Sequence, residues 1–292
     1  MMVGTEVISE FIDSVIHTGF LANDKPLSAM LIAAPESGKT SVVENKECRS
    51  VTVVSDMIGS GLIEELSTKP HLRHIVINDM VAVMAHKDVT NQRTFAIMNM
   101  LSEEGLEKVM LPGGLAVNFF KRQVGFICCI PAELAKDNRR WWNSSGFASR
   151  FLPFNYMYSE DLILQIKKTM IISGVYHSKN GIQPLTTPTK RYPINIPENL
   201  AIQIQAVADV VAKTMGEIGL RRGKQLRALV SGHALLKGRK EVNEEDISFL
   251  KSLSKHFNYF ISNELEYGKG EPIGISSSKI SAKHANTRKR SK

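Results

Sequence analysis

Between Val7 and about Ile172, five short apolar runs alternate with helical patterns: SAMLIAA, SVTVVS, HIVIND, VGFICCI and FNYMYS. Runs of this length and β-branched or aromatic content read as strands. Strands separated by helices cannot pair as hairpins, so the alternation predicts an α/β fold of three layers, a parallel sheet with helices on both faces. From Ser173 to Asn199 the texture changes, and Pro184, Pro188, Pro193 and Pro197 mark a linker. Beyond it, Ile204, Val207, Ala208, Val211 and Met215 recur at three- and four-residue steps, as do Ile247, Leu250, Leu253 and Phe257. Asn243 followed three residues later by Asp246 has the spacing of a helix N-cap. The predicted division is a nucleotide-binding core over 1–172, a linker over 173–197, a small all-helical lid domain over 198–267 and a basic tail over 268–292.

Composition narrows the class of protein. A hydrophobic content of 43 % with 23 % charged residues is that of a soluble globular chain, so general disorder is excluded. No apolar stretch approaches the roughly 18 residues of a membrane span. Glu6, Glu10 and Asp13 stand where a secretion signal would be basic, and the expected location is the cytoplasm. Three cysteines, two of them adjacent at Cys128 and Cys129, build neither a disulfide framework nor a metal cluster and are expected as buried thiols. The net charge of +8 invites a polyanion partner. Seven basic side chains against Glu271 put +6 of it after Gly268, in a stretch without aromatics that reads as a disordered, electrostatically adhesive or merely solubilising end.

The stretch LIAAPESGKTSVV places a glycine, a lysine and a threonine directly after a predicted strand and before a helix. A phosphate-binding loop of the Walker A type needs that context: backbone N–H groups of a tight turn surround the phosphates and the helix start faces them. Pro35, Glu36 and Ser37 would form the turn, Gly38 would allow close approach, Lys39 would reach the terminal phosphates and the Thr40 hydroxyl would face Mg²⁺. The first glycine of the motif is replaced by Ala33. The run HIVINDM ends a buried strand in Asn78-Asp79, where an acidic group is expected for the metal and another for the attacking water. Two assignments stay open. Either Asn78 takes the metal position and Asp79 the water, or Asp79 holds the metal and Met80 stands where a base would be.

In this order, a phosphate loop, an acidic strand tip, a later strand and a helical segment, the chain resembles the AAA+ ATPases over roughly residues 7–262. It is most similar to the branch containing minichromosome-maintenance helicases and MoxR-type ATPases. The resemblance implies binding of ATP and Mg²⁺ in a homo-oligomer. In SGFASRFLPF it makes Arg150 an arginine finger acting on the neighbouring subunit's nucleotide, with Phe151 and Phe154 as anchors. The segment from Thr94 to Pro131 resembles the helix, hairpin and sensor strand of that branch. Glu103-Glu104-Gly105 would end the helix, Pro112-Gly113-Gly114 would lie near the hairpin turn, and Lys108, Lys121 and Arg122 would be available to DNA. The sensor strand departs from the family pattern by carrying Ile130 where a polar residue is usual, which implies slower hydrolysis. In GLRRGKQLRALV, Arg221, with Arg222 beside it, matches the lid arginine that returns to the phosphates, while Leu226, Leu229, Val230 and Ala234 face inward. The implied function is an ATPase that couples nucleotide state to ring or filament assembly on DNA. The alternatives are a protein-remodelling ATPase and an assembly switch with weak or no hydrolysis. A small-molecule kinase fits less well, because it needs neither the trans arginine nor the lid.

Overall fold

The computed structural model describes residues 5–110, 116–173, 185–259 and 264–265. α1 (Glu6–His17) leads into β1 (Ser28–Ala33) and the one-turn helix α2 (Lys39–Val43). Then follow β2 (Val51–Val54), α3 (Gly59–Thr68), β3 (His74–Ile77), α4 (Met80–Met84) and α5 (Asp88–Glu103). A hairpin of β4 (Leu106–Met110) and β5 (Ala116–Arg122) comes before β6 (Gly125–Pro131), α6 (Ala132–Ser144) and α7 (Phe147–Arg150). β7 (Phe151–Asn155), β8 (Met157–Tyr158) and α8 (Glu160–Ser173) complete the first part of the chain. The helical part is α9 (Glu198–Met215), α10 (Leu220–Leu236) and α11 (Glu244–Leu253), and β9 (Glu264–Leu265) pairs with β8.

The five predicted runs form one parallel sheet in the order β2-β3-β6-β1-β7. Residue alternation sends Ala29, Leu31, Ala33 and Cys129 to one face and Met30, Ile32, Cys128 and Ile130 to the other. Both faces are covered, which is why the central strands are nearly continuous apolar runs, Ser28 at the start of β1 being the polar exception. Helices α3 and α5, with Trp142 and Phe147, cover the second face. The first is covered by α1 together with α9, α10 and α11. Cys128 and Cys129 are buried thiols, as expected.

The helical segment is not set apart from the core by its packing. One hydrophobic cluster runs from Phe11 and Leu31 through Leu200, Leu229 and Phe257. Helix α10 approaches α1 so closely that a Cβ on Gly232 would lie 2.3 Å from the Ser14 carbonyl oxygen, so only glycine permits the contact. The predicted inward residues Leu226, Leu229, Val230 and Ala234 are all buried. Asn243 and Asp246 form a full capping box at the start of α11. At the two described ends of the stretch over 173–197 the chain is structured. Ser173 is the last residue of α8, and the stretch from residue 185 is tied to the core, with Tyr192 N–H donating to Phe20 O at 2.8 Å and Tyr192 O accepting from Ala22 N–H at 2.9 Å. Tyr192 and Ile194 carry apolar surface that this attachment buries. Residues 174–184, the turn at Pro112-Gly113-Gly114 and the tail over 268–292 lie outside the described residues. Among the described residues no helix is long and apolar enough to cross a membrane.

Arg222 locks the helical part onto the sheet. Its guanidinium is fully buried, and Nε and Nη2 each donate to Glu217 at 2.8 Å. Nη1 donates to the Phe151 carbonyl and to Gln225 Oε1, both at 2.7 Å. Arg222→Ala strips partners from a carbonyl, an amide and a carboxylate at once, and it should destabilise the fold by about 3 kcal/mol. Urea denaturation would show this as a lower midpoint, and an unchanged midpoint would refute the locking role.

Candidate functional site

The loop between β1 and α2 leaves the carboxyl end of the central strand. From that end the chain turns back past β6 and β3 to β2, whereas the connection from β6 crosses β1 to reach β7. Neighbouring strands whose connections run in opposite directions open a crevice at their carboxyl ends, where α/β sheets bind ligands. Within the loop, Glu36 (φ 61°) and Gly38 (φ 72°) both have left-handed backbone. Such residues between right-handed ones turn successive N–H groups toward one point and make an anion-binding concavity. For Glu36 the conformation is strained, which is characteristic of functional loops.

Lys39 lies inside this turn. Its Nζ donates to Ala33 O at 2.9 Å, to Ala34 O at 2.7 Å and to Ser37 Oγ at 3.2 Å. Burial lowers its pKa, while the nearby Cys129 and Asp79 oppose that shift. The Asp79 carboxylate thus shares an electrostatic environment with Lys39 although β6 stands between their strands. Ala33, which stands at the first-glycine position of the motif, is the last residue of β1 and is fully buried in the core. Helix α2 is short, one turn followed by a 3₁₀ turn over Glu44–Lys46, so its dipole adds little beside the charge of Lys39.

The acidic tip is split in function. Asp79 caps α4, its Oδ1 accepting from Val81 N–H at 2.9 Å, while the side chain stays exposed. Asn78 Oδ1 is buried with no hydrogen-bond partner among the described residues. Met80 is fully buried and offers no base. Thr40 is exposed beside the turn. The donor set of Thr40, Asn78 and Asp79 is therefore all oxygen with one carboxylate, which suits Mg²⁺, an ion held by few protein ligands together with phosphates. Among the described residues, no group of three or more His, Cys, Asp or Glu could hold a metal ion. Ile130 is fully buried, so the end of β6 presents no polar side chain at this position.

Two residues that hold the loop escaped the reading of the sequence. Tyr156, fully buried, and Tyr158 both donate their hydroxyls to the Ser37 carbonyl, at 3.1 and 2.7 Å. Burial raises both phenol pKa values, so each remains a donor. Their two-residue spacing at the end of a strand run was the available signal.

Arg150 and Arg221 are brought together, but away from the loop. Phe151, next to Arg150, pairs with Ser28 at the opposite end of β1 from the loop. Five strand steps separate the two ends, roughly 17 Å, so Arg150 does not reach its own chain's loop. Its Nη1 donates to Gly146 O at 2.7 Å, and Nε lies 4.0 Å from Glu103 Oε2. Arg221 donates to Ser149 Oγ and its Nε is 3.5 Å from the same Glu103 oxygen. Arg221, matched in sequence to a lid arginine that returns to the phosphates, lies at the start of α10 beside Ser149, near the amino end of β7 and away from the β1–α2 loop of the same chain. Phe151 and Phe154 are fully buried and anchor the segment as expected. Glu103, which links both arginines, was read only as a helix end. No family model matches this chain, and no curated protein matches it in sequence.

Proposed function

We propose that this chain is an oligomeric AAA+ ATPase that binds ATP with Mg²⁺ and couples nucleotide state to ring or filament assembly, acting on DNA or a DNA-bound complex. The observation that carries the reading is the placement of Lys39 inside a strained, N–H-rich turn at the sheet's switch point, with Asp79 in electrostatic reach. In this reading the turn from Pro35 to Gly38 and Lys39 bind the phosphates. Thr40 and Asn78 would hold Mg²⁺, which when bound offsets phosphate charge. The orphaned Asn78 oxygen favours Asn78 on the metal side and leaves Asp79 to orient the attacking water and accept its proton.

Arg150 belongs to the nucleotide of the next subunit, since it is a strand length from its own. Ile218 and Leu220, 93 % and 76 % exposed, lie between Glu217 and Arg221 and give this turn apolar surface suited to contact with a second copy. A second reading, an assembly switch with weak or no hydrolysis, is favoured by two specific features: buried Ile130 leaves the water without a sensor group, and Asp79 spends one oxygen on capping α4. A protein-remodelling role uses the same core.

Asp79→Asn separates these readings. For an ATPase it should lower turnover about 100-fold or more while ATP affinity is kept, as expected of a lost general base. Steady-state phosphate release with a parallel binding titration would read both. A wild-type protein without turnover, with or without DNA, would leave the switch.

A further inference from the structure

On the side of the molecule away from the phosphate loop, the base of the hairpin, the end of α3 and the strap after residue 185 enclose a groove of about 740 Å³. Arg73, Lys121, Arg122 and Arg191 line it, and none of its lining residues is acidic. No ion pair joins Arg73, Lys121 or Arg191 to a described carboxylate. The cations also feel one another: burial and then the Arg191 charge lower the pKa of Arg73, and burial and then Arg73 lower that of Arg122. Unscreened like charges gathered in one concavity create a field for a polyanion.

The groove is built, and it has an aromatic edge. Arg122 forms its floor by donating to Leu66 O at 2.7 Å, to Leu72 O at 3.2 Å and to Lys69 O, which ties β5 to the end of α3. Pairing slips between Leu106↔Arg122 and Lys108↔Asn118, so β5 carries a bulge. Phe120 (φ 50°) and Lys121 (φ 59°) are the bulged residues, two consecutive side chains in left-handed backbone. The bulge turns Phe119 into the core, 7 % exposed, and Phe120 out into solvent, 95 % exposed. Strained backbone that projects a phenyl ring over a lysine- and arginine-lined groove is hard to account for by stability, because Phe120 buries nothing.

We infer that this groove binds single-stranded nucleic acid, with Arg73, Lys121 and Arg191 on successive phosphates and a base stacked on Phe120. Cations tracking a backbone beside an exposed aromatic platform are the chemistry of single-strand recognition, since every base has a face to stack once it is unpaired. A duplex keeps its bases inside and leaves Phe120 without a partner. Of the three hairpin residues expected at DNA, Lys121 is on the groove, Arg122 is its scaffold and Lys108 lies on the other strand. The inference deepens the nucleic-acid part of the reading above and does not depend on the nucleotide site.

The test uses the full chain without nucleotide, titrated into fluorescein-labelled dT20, rU20 and a duplex of equal length. Phe120→Ala should weaken binding to both single strands about tenfold and leave the duplex unchanged, while Phe120→Trp restores it. Lys121→Ala with Arg191→Ala should reduce the slope of log K against log salt for dT20 by about 1.4, whatever the basic tail contributes. All three positions are exposed, so the variants keep the fold. Unchanged single-strand affinity in Phe120→Ala would overturn the inference, as would equal losses on duplex and single strand, which would reduce the groove to a general polyanion surface. Because nucleotide is absent throughout, these outcomes are independent of whether Lys39 binds ATP.

Discussion

Lys39→Ala should lower ATP affinity on the order of 100-fold, the effect of removing charge-assisted hydrogen bonds to phosphate. In the structure the Lys39 ammonium is already within the turn, donating to two backbone carbonyls and the Ser37 hydroxyl. Phosphate oxygens would take the place of those acceptors with a gain in charge complementarity, which the free loop lacks. Alanine leaves the turn's left-handed residues and the tyrosine bonds to Ser37 in place, so the fold should survive and the loss should be confined to binding. Calorimetric titration with ATP, alongside a thermal melt to show an intact fold, would read it. Affinity within a few-fold of wild type would end the phosphate-loop assignment.

Arg150→Ala should leave ATP binding by dilute protein unchanged and lower turnover by the assembled protein roughly 1000-fold, the scale of a lost arginine finger. The geometry makes the prediction sharp. Arg150 is at the amino end of β7 while the phosphate loop is at the carboxyl end of β1, so no effect on the same chain's nucleotide is available to it. Its Nε is buried without a hydrogen-bond partner among the described residues and stands 4.0 Å from Glu103, a side chain poised between contacts. Turnover per subunit should rise with protein concentration in the wild type and stay low in the variant. A wild-type rate independent of concentration would remove the trans role, and loss of ATP affinity in dilute Arg150→Ala would show that the residue supports the fold instead.

Local features of the chain foretold a large part of this arrangement. The strands at Ser28–Ala33, His74–Ile77 and Gly125–Pro131 were legible because a strand buried on both faces reads as a nearly continuous apolar run, broken here only by Ser28 and His74 at strand starts. The capping box at Asn243 and the inward stripe of α10 were legible because both are set within one or two helical turns. Arg222 was not distinguishable from Arg221. Adjacent residues on a helix differ by about 100°, and only packing against Glu217 and Phe151 decides which one is buried. The hairpin groove was equally hidden, since Arg73, Phe120 and Arg191 come from three separate segments.

By itself, the sequence determined the five strands of the parallel sheet and the residues at the β1–α2 turn and the β3 tip, because period, motif and strand tip are local properties of the chain. Only the tertiary structure decided which groups share a space. It put Tyr156 and Tyr158 on the Ser37 carbonyl, placed the expected arginine finger Arg150 and the expected lid arginine Arg221 at the far end of the sheet from the β1–α2 loop of the same chain, and merged the helical segment with α1 in one core. Those outcomes follow from strand order and buried apolar area, which sum over distant residues and are not written at any one position.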